Sequence, residues 1–293
     1  MKCEAIYVWN PEYSVRKMCK ALGVYENQYY RWLKGEERRK KRRELEQSLV
    51  DQVALSFKES GNTYGCRKLC RALGEKQIVI SEWKVRKIMR ENGLYSISSK
   101  RYRPSQGKRK KGERYSENLI KRKFSPEGFS KVWAGDITYI PTNIGWVYLA
   151  VVMDLYNREI IGYHVSKEIN TELVCRALRN AKSKYPKAKE VIFHSDRGCQ
   201  YSSTRFQSSL LEAGFKSSMS APGCPYDNSC VESFFAGMKK ECIRRKEYAT
   251  IEDVKRDLFQ YIELFYNRKR LHSTLGYMSP VSYRLLHDGA KMM

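Results

Sequence analysis

Three acids stand where an apolar core is expected. Asp136 interrupts the run Val132-Trp133-Ala134-Gly135-Asp136-Ile137-Thr138-Tyr139-Ile140, and Asp196 directly follows Val191-Ile192-Phe193-His194-Ser195. Glu232 is separated from Asp196 by 35 residues and lies near the start of a predicted helix that carries Phe234, Phe235 and Met238. A carboxylate inside an apolar strand is costly unless it has a partner, and convergence on a divalent cation is the strongest reason available for three of them. With no Cys or His cluster beside them, they form a hard-oxygen set suited to Mg²⁺ or Mn²⁺ rather than zinc. Two such ions about 3.5–4 Å apart clamp the attacking and leaving oxygens of a phosphodiester during in-line displacement. Each acid also has a plainer reading. Asp136 could hydrogen-bond a neighbouring strand or loop, Asp196 could open a turn with Arg197-Gly198, and Glu232 could be an exposed helical residue. Taken singly those readings prevail; taken together, with the charge and element order below, the metal reading leads. His194 and Asn228 are the polar residues expected behind the acids, although His194 could equally be a satisfied strand-end histidine. Asp154 reads as a turn residue ahead of Asn157-Arg158.

The elements that must position these acids follow in an α/β order. Lys131–Ile140, Gly145–Met153 and Glu159–Val165 read as three short-linked strands, hence an antiparallel meander. Thr171 is expected to cap a helix through Leu173, Val174, Ala177, Leu178 and Ala181. Lys189–His194 reads as a strand entered from a helix and therefore parallel to its neighbour. A helix over Ser203–Ala213, a short strand over Phe215–Met219 and a helix over Ser229–Arg244 complete the set. This order predicts a mixed five-stranded sheet flanked by helices, with Asp136 in the first strand and Asp196 just past the fourth. Thr250 and Asp253 have the spacing of a capping box for a further helix, whose apolar face is Ile251, Val254, Leu258, Tyr261, Ile262 and Phe265.

The chain of 293 residues has 56 Lys and Arg against 32 Asp and Glu, a net charge of +24. That excess exceeds what solubility needs and points to a polyanionic partner, nucleic acid before a membrane surface. Residues 1–120 hold 29 basic and 14 acidic side chains, so the charge is concentrated in the front of the chain. The absence of a signal peptide, spanning segment or lipidation signal, with nine irregularly spaced cysteines, predicts a reducing, cytoplasmic setting. Cys66 and Cys70 lie four apart on a predicted helix, and no neighbouring ligand pair completes a zinc site.

Within the basic front, residues 11–34 read as a small helix-turn-helix, with Ser14 as cap, Gly23 at the turn and a second helix from about Tyr25 to Leu33; a plain helical hairpin fits as well. The six bases Arg38–Arg43 lead into a helical stripe of Leu45, Leu49, Val53 and Phe57. Residues 61–94 read as a second helix-turn-helix. Gly74 ends its first helix, and Ser81 caps a second one from Glu82 to Glu91. Val85, Ile88 and Met89 face inward there, while Lys84, Arg86, Lys87 and Arg90 face mostly outward, as a major-groove helix requires. The stretch 96–123, with Arg101 and Arg103, reads as a basic linker able to track a DNA backbone, or as a simple solvated linker. The expected division is 1–60, 61–95, the linker 96–123, a catalytic core over 124–245 and a helical extension over 246–293.

Several of these pieces, in this order, resemble the second-frame protein of the insertion-sequence-three (IS-three) family of bacterial transposases, whose core is similar to the RNase H-like fold of retroviral-integrase-like DDE enzymes. They are Leu22-Gly23-Val24 with Tyr29-Tyr30-Arg31-Trp32, Tyr64-Gly65 with Arg67, and Trp133 with Asp136-Ile137-Thr138-Tyr139-Ile140. His194-Ser195-Asp196-Arg197-Gly198 with Gln200-Tyr201, and Pro225-Tyr226-Asp227-Asn228 with Glu232-Ser233-Phe234-Phe235, carry the centre of the likeness. The tail adds Tyr266-Asn267, Arg270, His272, Leu275-Gly276-Tyr277, Ser279 and Pro280. The resemblance implies a DDE triad of Asp136, Asp196 and Glu232 holding two Mg²⁺ (or Mn²⁺) ions. It implies that Lys239, seven positions after Glu232, contacts an end phosphate, with a solvated lysine beside Lys240 as the alternative. It further implies 3′-end cleavage and strand transfer by direct transesterification. Double-stranded DNA, a homo-multimer and an upstream first-frame protein supplied by frameshift fusion are the implied partners. A non-catalytic or regulatory DNA-binding product, or an RNase H-like nuclease, are the competing functions.

Overall fold

A computed structural model describes residues 1–97, 116–120, 124–220 and 228–289. Arg101 and Arg103, most of the basic linker and the Pro225-Tyr226-Asp227 segment lie outside them. The chain divides into two compact units, Met1–Glu59 with Leu69–Tyr95, and Ser60–Lys68 with Ser96–Met293.

The first unit is helical: α1 (Lys2–Trp9), α2 (Val15–Leu22), α3 (Glu26–Glu59), α4 (Cys66–Glu75, counted here from Leu69) and α5 (Glu82–Glu91). Ile6, Cys19 and Tyr29 form its small leading core with Met18, Trp32 and Leu33 packed around it. Gly23 ends α2 in the left-handed region at φ 63° and returns its N–H to Cys19 and Lys20, a conformation a Cβ disfavours. Three expectations change. Ser14 sits at the N-cap of α2 but its side chain makes no capping bond, and Gly74 lies inside α4 rather than ending it. The helices expected over Tyr25–Leu33 and Leu45–Phe57 are one 34-residue helix. The basic run between them stays helical because it has partners at helical spacing: Glu36 accepts from Arg39 and Arg43, and Arg42 faces Glu46, which offsets the repulsion of adjacent cations. In α5 the Ser81 hydroxyl accepts from the Lys84 N–H, and Val85, Ile88 and Met89 are buried as the spacing predicts.

The second unit is built on the five-stranded sheet. β1 (Val132–Thr142), β2 (Gly145–Asp154) and β3 (Ile160–Ser166) form the antiparallel meander. Next come α6 (Thr171–Lys184), β4 (Ile192–Ser195), α7 (Cys199–Ser202), α8 (Thr204–Glu212) and β5 (Lys216–Met219), then α9 (Ser229–Glu241), α10 (Ile251–Phe259), which continues as a π-helical stretch over Gln260–Tyr266, and α11 (Pro280–Gly289). The strand order is β3-β2-β1-β4-β5, with β4 parallel to both β1 and β5. Two apolar layers sandwich it. One joins Ala134, Ile140, Leu149 and Val151 to α9 and α10 through Phe235, Met238 and Leu258. The other joins Trp133, Ala150 and Val152 to α6 and α8 through Leu178, Ala181 and Phe206. Asn170, not Thr171, caps α6: its Oδ1 accepts from the Leu173 N–H at 3.1 Å. An Asn in the extended conformation reaches N3 as a Thr already inside the helix cannot. The Thr250–Asp253 capping box is present.

Two local devices fix the sheet. Gly162 on β3 lies under α6, where an added Cβ would come within 2.5 Å of the Ala177 carbonyl and the Ala181 nitrogen. Asp154 ends β2, fully buried, and accepts from the Ser130 N–H at 2.7 Å, the Trp133 indole at 3.1 Å and the Tyr156 N–H at 2.8 Å. It is a turn residue, as expected, and also the latch of the strand start, with burial pushing its carboxyl up to about 7.

Gly162→Ala is expected to destabilise the fold by at least about 2 kcal/mol, because the obstructing atoms are backbone and cannot rotate away; urea unfolding measures it. For Asp154 the folded pKa is raised, so its contribution to stability is full below the ordinary Asp range and is lost as pH rises through about 7. Asp154→Asn removes that titration. The stability gap between wild type and this variant should therefore narrow as pH rises from 4 to 7, and a gap independent of pH in thermal melts would refute the assignment.

Candidate active site

The register of two strands brings the first two acids together. β1 and β4 run parallel with Ala134 opposite His194. Two residues on, in the same side-chain phase, Asp136, still paired with Val151 of β2, stands beside Asp196, just past the end of β4, on chains whose ordinary strand spacing is about 4.8 Å. Asp136 accepts from the Ile137 N–H at 2.8 Å. Its carboxyl is held well above the usual range, first by burial and then by the charges of Asp196 and Glu232, with Lys239 acting against them. Asp196 opens a turn, its Oδ1 accepting from the Gly198 N–H at 3.0 Å, and burial raises its pKa too. The turn reading and the placement beside Asp136 are therefore both realised.

Glu232 is exposed on the first turn of α9, and partial burial of its carboxyl raises its pKa. The helix is anchored by Val231, Phe234, Phe235 and Met238, which leaves Glu232 and Lys239 on the side that acts electrostatically on Asp136. Lys239 is half-buried, and its pKa is lowered by burial and by Arg244.

The surrounding polar residues divide. His194 is buried with Nδ1 2.9 Å from the Ser218 hydroxyl and Nε2 3.2 Å from that of Ser220. It braces β4 to β5 behind Asp196. Asn228 donates to the Gly135 carbonyl at 3.2 Å, next to Asp136, while its buried Oδ1 has no hydrogen-bond partner among the described residues. Sequence reasoning left Tyr201 off the site. Its ring packs on Phe193 and Phe206, and burial with the charges of Asp136 and Asp196 raises its pKa. It forms the apolar floor of the site, and its position in Gln200-Tyr201, just after the turn at Asp196, was the available signal. Arg197 donates to the Ser220 carbonyl at 2.8 Å.

On the other unit, Lys84 does not point simply outward: its ammonium pairs with Glu46 of α3 at 3.2 Å. Lys87 faces Glu91 at 3.8 Å, and Arg86 is exposed.

Like-charged carboxylates in a partly dry site, with an Asn228 carbonyl oxygen unpartnered among the described residues, make a donor set of the right chemistry for a hard divalent cation. Among the described residues no three His, Cys, Asp or Glu side chains are gathered tightly enough to hold an ion in common. The two aspartates are fixed by strands, whereas Glu232 is carried on a helix that follows the undescribed segment 221–227.

Comparison with known proteins sets this geometry in a family. Two integrase core domain models match residues 128–225 and 213–280, and an HTH-like domain model matches residues 44–102. The chain is 37% identical over 283 residues to the transposase InsF for insertion sequence IS3A of Escherichia coli (strain K12), covering 97% of this chain and 98% of that one. It is 36% identical over 247 residues to the transposase for insertion sequence element IS904 of Lactococcus lactis, covering 84% and 97%. Among solved structures, the simian T-cell lymphotropic virus intasome in complex with a PP2A regulatory subunit is matched at a TM-score of 0.45 and 14% identity, over 70% of this chain and 67% of that one. The HTLV-2 integrase catalytic core domain in complex with magnesium is matched at 0.42 and 16%, over 54% and 98%. Near-complete coverage of the bacterial relatives, with an integrase-type core and a helix-turn-helix region in the same order, places this chain in the IS3 family of insertion-sequence transposases, DDE polynucleotidyl transferases.

Proposed function

We propose that this transposase binds the ends of its insertion sequence, cleaves them to expose 3′ hydroxyls and joins those hydroxyls to target DNA, with Asp136, Asp196 and Glu232 as the catalytic carboxylates. The observation that carries the assignment is the parallel β1–β4 register, which ends at Ala134 opposite His194 and so brings Asp136 and Asp196, each two residues further on, close together, both held above their ordinary pKa range. In the first reaction a water oxygen attacks phosphorus and the bond to the 3′ oxygen breaks, leaving a 3′ hydroxyl. In the second, that hydroxyl attacks a target phosphodiester and a target 3′ oxygen departs, so one phosphodiester replaces another and no covalent enzyme intermediate forms. Asp136, Asp196 and Glu232 would hold Mg²⁺ or Mn²⁺, one ion or a pair. Bound there, the cation supplies the charge that eases deprotonation of the attacking oxygen and stabilises the leaving one.

Lys239 lies two turns along α9 from Glu232, on the same face, where its ammonium can hold the phosphate flanking the scissile bond. Tyr201 keeps the floor of the site dry, which strengthens these charge interactions. On the helical unit, Lys84, Arg86 and Lys87 of α5 are assigned to end recognition, and Arg101 and Arg103 to the phosphate backbone. Lys84 must exchange Glu46 for phosphate to take part. Joining two ends calls for a homo-multimer, with a first-frame protein as fusion partner, acting in the bacterial cytoplasm at the nucleoid. Among the described residues no helix is long and apolar enough to cross a membrane.

Asp136→Asn and Glu232→Gln should each lower strand transfer on family-type end DNA in Mg²⁺ by at least about 10³-fold, the loss of several kcal/mol of transition-state stabilisation, while binding of the ends persists. A wild-type protein that binds ends and joins none, even with the first-frame partner supplied, would sink the reading; cutting of RNA–DNA hybrid alone would mark a nuclease. The metal assignment has its own test. Raised folded pKa values mean that stability from these acids is present below the ordinary carboxylate range and lost as pH rises through the elevated one. Mn²⁺ binds the deprotonated acids, so it should raise the melting temperature more at mildly alkaline than at mildly acidic pH. Asp136→Asn should largely abolish the effect, and equal shifts in that variant would remove Asp136 from the ligand set.

A further inference from the structure

The β1–β2 hairpin runs past its neighbour: β1 pairs with β4 only over Val132–Ala134, whereas its pairing with β2 continues to Thr142. The projecting part carries aromatic rings in the open. Tyr139 is 51% and Trp146 59% exposed. The Tyr139 ring meets Trp146 edge-on at 6.3 Å between centroids and Tyr148 at 5.4 Å. Single exposed apolar side chains are ordinary, but a contiguous aromatic group marks a binding surface. Facing it, Lys239 at the end of α9 and Arg244 and Lys246 beyond it line the same groove of about 630 Å³, and no acid is among the described residues that line it. Lys246 also pairs with Asp257 at 2.6 Å. Lys239 acts electrostatically on Asp136, so the groove opens beside the catalytic acids.

Aromatic faces with a cationic rim fit a ligand that is flat and anionic, and such a combination is how unpaired nucleotides are held. We infer that this groove receives an unpaired base of the DNA strand next to the scissile phosphate, stacked on Trp146 and Tyr139, with its phosphate toward Lys239 and Arg244. The inference rests on the DNA-joining reading of the site and adds to it a separation of the strands at the reacting end. A duplex keeps its base faces covered by neighbouring pairs, so the platform engages only a nucleotide that has left the stack. The contact is tolerant of sequence, because every base has a π-face.

The test is binding by the full chain, without metal, to duplexes of arbitrary sequence. One carries two unpaired nucleotides at its 3′ end, one carries abasic residues in their place, and one is blunt. Wild type should prefer the unpaired bases over the abasic end by about tenfold, within the range of one or two base–aromatic stacks. Trp146→Ala should remove that preference and leave blunt-duplex affinity unchanged, and Trp146→Phe should restore it. Arg244→Ala should weaken binding to base-bearing and abasic ends alike. Equal affinity of wild type for base and abasic ends, or a preference that survives in Trp146→Ala, overturns the proposal. Asp136→Asn should keep the preference, so a missing strand-transfer activity and a missing base platform are separate failures.

Discussion

Parallel pairing of β1 with β4, over only three residue pairs, sets where the two proposed catalytic aspartates sit. It brings Asp136 and Asp196 together on one side of the sheet, against the burial that raises both pKa values and the repulsion that adds to it at Asp136. Neighbouring contacts resist that penalty. His194 ties β4 to two serines of the β5 edge. Gly135, the residue before the first acid, lets Phe193 and Tyr201 close in underneath: a Cβ there would stand 2.6 Å from the Phe193 ring. A strained electrostatic arrangement of this kind persists because the surrounding core over-determines it.

The third acid depends on a different set of contacts. Glu232 and Lys239 are aimed by α9, and α9 is held at its far end by the tail. Glu241 accepts two bonds from Arg270 Nε and Nη2 at 2.9 and 2.8 Å and one from the Tyr261 hydroxyl at 2.8 Å. A buried ion pair adds little net stability over an apolar substitute, but removing one partner is costly, so this pair specifies the position of the helix more than it strengthens the fold. Asn267 uses both ends of its amide on Ile160 of β3, at 3.0 and 2.9 Å, satisfying backbone groups at the edge of the sheet, and the Tyr266 hydroxyl reaches the Arg158 carbonyl. The tail motif therefore secures the sheet edge and α9 together.

Much of this was legible in the residues. Five strands, their mixed sense and the two aspartates at one end follow from apolar runs, short connections and a strand entered from a helix. The misses have physical causes. Helix continuity through Arg38–Arg43 depends on Glu36 and Glu46 as partners at helical spacing, which a reading of charge alone passes over. The cap on α6 belongs to Asn170 because its backbone is extended, a property of conformation rather than residue type. Asp154 reads locally as a turn residue, yet its third donor is the Trp133 indole 21 positions away. Tail contacts such as Asn267 with Ile160, 107 positions apart, are invisible to any local pattern. The exposed rings of Tyr139 and Trp146 alternate correctly for a strand; only the early end of β4 reveals that they have no core to enter.

Lys239 stands between the acids and the aromatic groove. Its charge counters the repulsion on Asp136, yet burial and Arg244 lower its own pKa, so the ammonium is poorly compensated where it stands. A phosphate beside it would relieve that cost, and a divalent cation among the acids would relieve theirs. The two relief terms interact. A metal withdraws the anionic field of Asp136 from Lys239, which makes the lysine more dependent on phosphate, while bound phosphate returns negative charge that favours the metal. Metal and DNA should therefore bind with positive coupling, and by linkage each strengthens the other by the same factor. On this account, Glu232, exposed on the first turn of α9, completes the site when both are present.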